Sequence, residues 1–144
     1  MQLKADSYAQ YRRFIKRVRA EQRAFCLITQ QETEFFEIAT NGDWDEELGL
    51  DEESEQGPLP LLPVWSSEAI AKEFIVQNGI EGFKLFPMSF GGFVKLLGDL
   101  EADGAVVTTE LSPSGGFGIQ KWPREVLHDL QSDEDPVAPP LPLP

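Results

Sequence analysis

Short β-prone runs that occur in pairs between helical segments constrain the fold of this chain most strongly. Residues 24–30 (AFCLITQ) and 33–39 (TEFFEIA) are rich in β-branched and aromatic side chains, and the short connection between them predicts a tight turn. A second pair, 105–111 and 117–122, flanks the turn sequence SPSGG. Because neighbouring strands joined by short turns pair antiparallel, we expect an α+β fold: a mainly antiparallel sheet of about five strands with three to four helices packed on it.

Helical periodicity marks four further segments. The first, residues 7–23, begins at Ser7 as a candidate N-cap and repeats apolar residues at helical spacing at Tyr8, Tyr11, Phe14, Ile15 and Val18. Each later helix starts after a serine or at a proline, and the expected segments are 66–79, 89–104 and 123–131.

Proline and glycine set the expectations for the remaining segments. Residues 61–65 predict a short strand, and Pro63 within it indicates an edge position or irregular pairing. Residues 83–86 predict a brief extended segment that Pro87 stops. Three glycines inside the helix after Ser89 predict close backbone packing there: Gly91, Gly92 and Gly98.

The 144 residues suit one domain. We assign it to residues 1–132, with an acidic loop at 40–60, and expect 133–144 to be a Pro-rich disordered tail. The chain contains no apolar run long enough to span a membrane and shows no signal peptide at its start, so we expect a cytoplasmic protein that does not bind membranes.

Charge is distributed very unevenly along the chain. The net charge is -13, yet seven of the 12 basic residues lie in the first 23 positions, and eight of the 25 acidic residues lie between Asp43 and Glu55. The basic first helix is therefore the best candidate for an interaction surface, through Arg12, Arg13, Lys16, Arg17 and Arg19. The net negative charge makes nucleic acid a less favoured partner than a protein.

Several segments together resemble the bacterial family known as domain of unknown function 2750. They are the helix segment Tyr11–Val18, the Pro-Val-Trp-Ser entry into a helix at Pro63–Ser66, and the helix end at Leu100–Gly104 before an apolar strand. The resemblance covers residues 8–130 and implies a single α+β domain. It implies no activity.

The sequence contains few residues suited to catalysis or metal binding. One cysteine, Cys26, and one histidine, His128, are too few for a Cys/His zinc site and make a Cys–His nucleophile pair improbable. The acidic loop carries oxygen ligands at calcium-loop spacing, but Glu46 stands where such a loop needs glycine; the weak candidate ligands are Asn41, Asp43, Asp45 and Glu52. We predict no cofactor and no catalytic residue.

Three functions stay open at this stage. The favoured one is a non-catalytic interaction module, such as an adaptor, an inhibitor or an immunity-like protein, with an unknown protein partner. The alternative is a small-molecule-binding or enzymatic domain with a cleft near Trp65, Ser66, Phe83 and Trp122. The third is nucleic-acid binding through the basic helix. Oligomeric state is left open.

Overall fold

A computed structural model describes residues 2–39, 60–113 and 119–132. Within these ranges it contains four helices and six strands. In chain order they are α1 (Gln2–Glu21), β1 (Arg23–Thr29), β2 (Ile38–Ala39), β3 (Pro60–Val64), α2 (Glu68–Gln77), β4 (Phe83–Ser89), α3 (Phe90–Asp103), β5 (Val106–Thr109), β6 (Ile119–Lys121) and α4 (Pro123–Gln131). The predicted α+β class and the number of helices are confirmed.

The strands form two sheets instead of the single sheet of about five strands that the sequence led us to expect. In one, β1 pairs antiparallel with β4; in the other the order is β2-β3-β5-β6. Three of the four strand pairs are antiparallel, and β3–β5 is parallel. The two sheets meet where Phe25 and Trp65 exchange backbone hydrogen bonds of 2.8 Å in both directions.

Helices cover both faces of the strands, because successive side chains of a strand point to opposite sides. Leu62, Val64 and Cys26 lie in the larger buried cluster with side chains of α1, α3 and α4. Phe25, Leu27 and Trp65 lie in a second cluster with the buried face of α2. Phe25 and Leu27 therefore lie on one face of β1 and Cys26 on the other.

Pro63 lies where the neighbour of β3 changes. On one edge β3 pairs with β5 along its length. On the other it pairs with β2 at Leu61 and meets β1 at Trp65. Pro63 lies midway between Leu61 and Trp65. Because backbone groups alternate in direction along a strand, its nitrogen points to the same edge, between the end of β2 and the start of the contact with β1. Since no strand pairs with β3 at this point, the missing N–H of proline costs no hydrogen bond. This change of partner is the irregular pairing that Pro63 predicted.

Strand β4 is longer than predicted, because Pro87 does not stop it. The strand runs through Pro87 to Ser89 and pairs with the whole of β1. Pro87 is opposite Phe25, whose backbone groups bond to Trp65 on the other side. The Phe25–Pro87 pair therefore needs no hydrogen bond between the two strands, and the proline is tolerated.

The second predicted strand, 33–39, is mostly irregular. The turn lies where expected, with the Glu32 N–H bonded to the Thr29 carbonyl at 2.9 Å, and Phe35 makes an isolated antiparallel bridge to Ile28. The chain then leaves β1, and only Ile38–Ala39 forms a strand, against β3. Beyond that point Trp65 occupies the same edge of β1 through its backbone hydrogen bonds to Phe25, so a full hairpin does not form.

The ends of the helices follow their capping residues, with one exception. Helix α1 begins at Gln2, five residues before Ser7, because residues 2–6 (QLKAD) are mostly good helix formers. Ser67 caps α2 through its hydroxyl, which accepts from the Ile70 N–H, and Ser89 caps α3 in the same way from Gly92. Gly104 ends α3 in the left-handed conformation (φ 74°).

Close packing accounts for one of the three glycines in α3. A Cβ at Gly92 would lie 3.2 Å from the Ser89 hydroxyl. A Cβ at Gly91 or Gly98 would meet nothing within 4 Å. The expectation of close backbone approach is wrong at these two positions, for which the structure offers no explanation.

Candidate functional site

The basic residues of α1 lie mainly on the side of the helix that faces away from the core. Its buried side is formed by Tyr11, Phe14, Ile15 and Val18. Successive residues of a helix are rotated by about 100°. Arg12, Arg13, Lys16 and Arg17 therefore fall on the opposite side, and all four are exposed.

Three of these residues, Arg12, Arg13 and Arg17, form what we call the arginine face. In the part of the chain that the structure describes, no acidic group lies within ion-pair distance of their guanidinium groups. By contrast, Lys72 pairs with Glu68 at 2.9 Å and Arg124 with Glu101 at 3.1 Å. The arginine face thus presents positive charge to solvent in a chain of strongly negative net charge.

Arg19 has a different environment from the arginine face. It is half-buried, and its Nη2 donates to the backbone carbonyl of Asp129 in α4. Tyr11 donates its hydroxyl to the Asp129 carboxylate at 2.5 Å. Arg19 and Tyr11 therefore join α1 to α4, and Arg19 contributes to the helix packing.

Glu110 is a charged residue that follows directly after β5. Its backbone N–H donates to the Val64 carbonyl, and its φ of 58° places it in the left-handed region. Its carboxylate accepts two hydrogen bonds from Ser66: Oε1 from the backbone N–H at 2.6 Å and Oε2 from the hydroxyl at 3.0 Å. Ser66 is only 2% exposed, and Glu110 is half-buried.

Opposing effects act on the protonation of Glu110. Desolvation by burial raises its pKa above the ordinary 4.5, and this is the largest effect. The hydrogen bonds from Ser66, followed by the charges of Arg17 and Arg13, lower the pKa but do not cancel the effect of burial. Glu110 is therefore electrostatically coupled to two members of the arginine face.

Sequence reasoning singled out Ser66 but not its partner Glu110. The signal was present, because Glu110 is the one charged residue in the run AVVTTEL, which predicts a buried strand. A carboxylate in such a run needs hydrogen-bond donors or a neighbouring cation. Which donors it finds depends on the parallel pairing of β3 with β5, which local sequence does not reveal.

The residues of the predicted cleft are divided between two parts of the protein. Trp65 is fully buried, donates its indole N–H to the Leu111 carbonyl at 2.7 Å and packs on Phe74. Phe83 is half-buried in the same cluster. Trp122 lies at the start of α4, packed against a separate small cluster. A cleft beside Trp65 and Ser66 stays a prediction.

A groove of about 490 Å³ lies between β4 and α3. Phe35, Phe86 and Leu96 contribute apolar surface to it, and Lys95 and Asp99 contribute charges. Its lining includes none of the predicted cleft residues. No histidine, cysteine or pair of carboxylates is among the residues that line it.

The lone thiol is not suited to nucleophilic chemistry. Cys26 is fully buried, and burial raises the pKa of its thiol to about 12. Among residues 2–39, 60–113 and 119–132, no group of three or more His, Cys, Asp or Glu side chains could hold a metal ion. The predicted calcium ligands Asn41, Asp43, Asp45 and Glu52 lie outside these ranges, as does the predicted tail at 133–144.

Within the same described residues, none of the helices combines the length and apolar character that crossing a bilayer requires. Among known proteins, no family model matches the chain, and none of the curated proteins matches it. The resemblance to domain of unknown function 2750 thus stays a prediction.

Proposed function

We propose that this protein is a non-catalytic interaction module, such as an adaptor, an inhibitor or an immunity-like protein, whose arginine face binds an acidic segment of a protein partner. The observation that carries the proposal is the exposed set Arg12, Arg13 and Arg17, with no ion pair to any described acidic residue. In a chain with a net charge of -13, such a local concentration of exposed positive charge favours a specific anionic partner.

The chemistry of arginine indicates the groups that the partner presents. A guanidinium donates parallel hydrogen bonds to both oxygens of a carboxylate. Arg13 and Arg17 are four residues apart, which is a rise of about 6 Å along the helix. Carboxylates on successive turns of a partner helix, or on alternate residues of an extended segment at about 6.6 Å, match this spacing.

A protein segment fits this surface better than a nucleic acid does. At physiological salt, charges interact over a Debye length of about 8 Å. A short acidic segment therefore interacts mainly with the arginine face. A nucleic acid extends its phosphate charge well beyond this distance, so the net negative charge of the chain opposes its binding.

Peptide binding tests the proposal. A fluorescent peptide of alternating Asp and Ala is titrated with wild type and with the double variant Arg13→Gln/Arg17→Gln, at low salt, and its anisotropy is recorded. We expect roughly fivefold or greater weakening in the variant, since each exposed ion pair is worth up to about 1 kcal/mol.

The matched control is Lys72→Gln/Arg124→Gln, which removes the same charge from two residues outside α1. We expect its affinity to stay close to that of wild type. Equal weakening in both double variants would show a general charge effect and contradict the proposal. Tighter binding of a DNA oligonucleotide with the same charge as the peptide would favour nucleic-acid binding instead.

A further inference from the structure

Strand β4 has an open edge, with which no strand of the described residues pairs. Its other edge pairs with the whole of β1. The backbone groups of Phe25 bond away from β4, so in the alternating antiparallel pattern the neighbouring pair, which contains Phe86, carries the bonds between β1 and β4. The backbone groups that point to the open edge are therefore those of Phe83, Leu85 and Pro87.

The residues along this edge are mostly apolar and partly exposed. Phe83 and Leu85 are half-buried, and Pro87 is exposed. An edge strand of this kind is a template for pairing with another chain. The net charge of -13 opposes association of two copies in general, but Lys84 is the only charged residue of β4 and it is basic. Two copies therefore meet with little like-charge repulsion at this edge.

We propose that β4 pairs antiparallel with β4 of a second copy of this chain, about a two-fold axis at Leu85. Leu85 and the partner's Leu85 then exchange backbone hydrogen bonds in both directions. On each side of the axis the Phe83 N–H donates to the carbonyl of the partner's Pro87. Since proline has no N–H, the Phe83 carbonyl receives no bond in return.

The side chains complement each other in this register. Lys84 lies opposite the partner's Phe86, in a pair without backbone hydrogen bonds, where side chains approach closely. An ammonium group over an aromatic ring is a favourable contact. A register centred on Lys84 would place two lysines opposite each other, and one centred on Pro87 would lose its central hydrogen bonds.

The pairing forms a closed dimer, because the far edge of β1 is already in use. There Phe25 bonds to Trp65, and the Leu27 carbonyl accepts from the Phe36 N–H. The combined sheet has the strand order β1-β4-β4-β1, and a two-fold contact of this kind does not extend into a fibre. Strand β4 contains no residue of the arginine face, so dimerisation and peptide binding are tested separately.

Sedimentation of the full chain at increasing concentration tests the proposal, and we expect the dimer fraction to rise. Leu85→Glu places two carboxylates opposite each other at the axis and should weaken the dimer about fivefold or more. The matched control, Val76→Glu, adds the same charge to α2 at a side chain that is 78% exposed, and it should dimerise like wild type.

A second variant should have the opposite effect. Pro87→Ala supplies the missing N–H to the partner's Phe83 carbonyl on both sides of the axis, so it should tighten the dimer about tenfold. Because Pro87 is exposed, this change leaves the core intact and tests the register even if Leu85→Glu fails to fold.

Disulfide cross-linking locates the axis. In Leu85→Cys the two thiols lie on a hydrogen-bonded pair whose Cα atoms are about 5.5 Å apart, which suits a disulfide. In Phe83→Cys the two copies of residue 83 are about 13 Å apart and should not cross-link. The native Cys26 is buried and takes no part.

Three results would overturn the proposal. The first is a monomer at every concentration up to about 1 mM. The second is a dimer that Leu85→Glu, though folded, and Pro87→Ala leave unchanged. The third is cross-linking of Phe83→Cys as fast as that of Leu85→Cys.

Discussion

Ser66 binds the carboxylate of Glu110 with two donors, its backbone N–H at 2.6 Å and its hydroxyl at 3.0 Å. The pair joins the two parallel strands at their carboxyl ends, since Ser66 follows β3 and Glu110 follows β5. The charges of Arg17 and Arg13 of α1 also act on this carboxylate and lower its pKa, although burial has the larger, opposite effect. One contact therefore links the packing of the sheet to the charge of the candidate binding surface.

The hydroxyl of Ser66 should contribute measurably to stability. Ser66→Ala removes a partly buried hydrogen bond to a carboxylate, and hydrogen bonds to charged groups are worth about 1.5–3 kcal/mol. Urea unfolding at neutral pH should show a loss of that order, whereas Ser112→Ala, which removes a half-exposed hydroxyl, should cost less. An unchanged unfolding midpoint for Ser66→Ala would contradict the assigned role of the pair.

Glu110 should also make stability depend on pH in a direction opposite to that of most acidic residues. Its pKa is raised by burial in the folded state, so the folded protein binds more protons than the unfolded chain between about 4.5 and the raised value. Its contribution is greatest below that window and is lost as pH rises through it. The stability of wild type relative to Glu110→Gln should therefore fall with rising pH, as measured by urea unfolding at each pH.

A matched comparison isolates this effect from the overall negative charge. Glu73→Gln removes one exposed carboxylate, and its stability relative to wild type should vary little over the same window. A difference between wild type and Glu110→Gln that stays constant with pH would show that Glu110 has an ordinary pKa.

Trp65 should be among the most sensitive positions of the core. It is fully buried, its indole N–H binds the Leu111 carbonyl at 2.7 Å, and its ring centroid lies 5.2 Å from that of Phe74. Trp65→Phe removes the donor and leaves a small void, at a cost of about 2–4 kcal/mol. Trp122→Phe, at a half-buried position, should cost less in the same unfolding experiment, and the reverse order would contradict this account of the core.

Two glycines of the α3 region should respond to alanine in opposite ways. Gly98 lies within the helix, and a Cβ there meets nothing within 4 Å, so Gly98→Ala should stabilise the protein by about 0.5–1 kcal/mol. Gly104 has a φ of 74°, so Gly104→Ala should destabilise it by about 1 kcal/mol. Thermal unfolding should show a higher midpoint for Gly98→Ala and a lower one for Gly104→Ala. A loss of stability in Gly98→Ala would contradict the open space found around this position.

Local sequence signals predicted the helices of this fold better than its sheets. Ser67, Ser89 and Gly104 act through neighbours in the chain, and the helix boundaries that they indicate agree with the structure. The strands depend on distant partners. Which strand edges are already occupied decides the parallel pairing of β3 with β5 and the extension of β4 through Pro87. No local sequence pattern predicts which edges are occupied.

The candidate site was predicted in part for the same reason. Helical periodicity is a local property, and it identified the apolar residues of α1, which leave Arg12, Arg13 and Arg17 on the exposed side. It could not separate Arg19, whose guanidinium reaches α4, from the others. Glu110 depends on a contact with a residue 44 positions away, which only the tertiary structure brings together.

NMR mapping tests most directly whether the arginine face of α1 is the binding surface. Backbone amide shifts of the ¹⁵N-labelled protein are followed while the Asp/Ala peptide is added at low salt. We predict that the largest shifts cluster in α1 around Arg12, Arg13 and Arg17. Shifts centred on the groove between β4 and α3, or shifts of α1 no larger than those elsewhere, would contradict the claim.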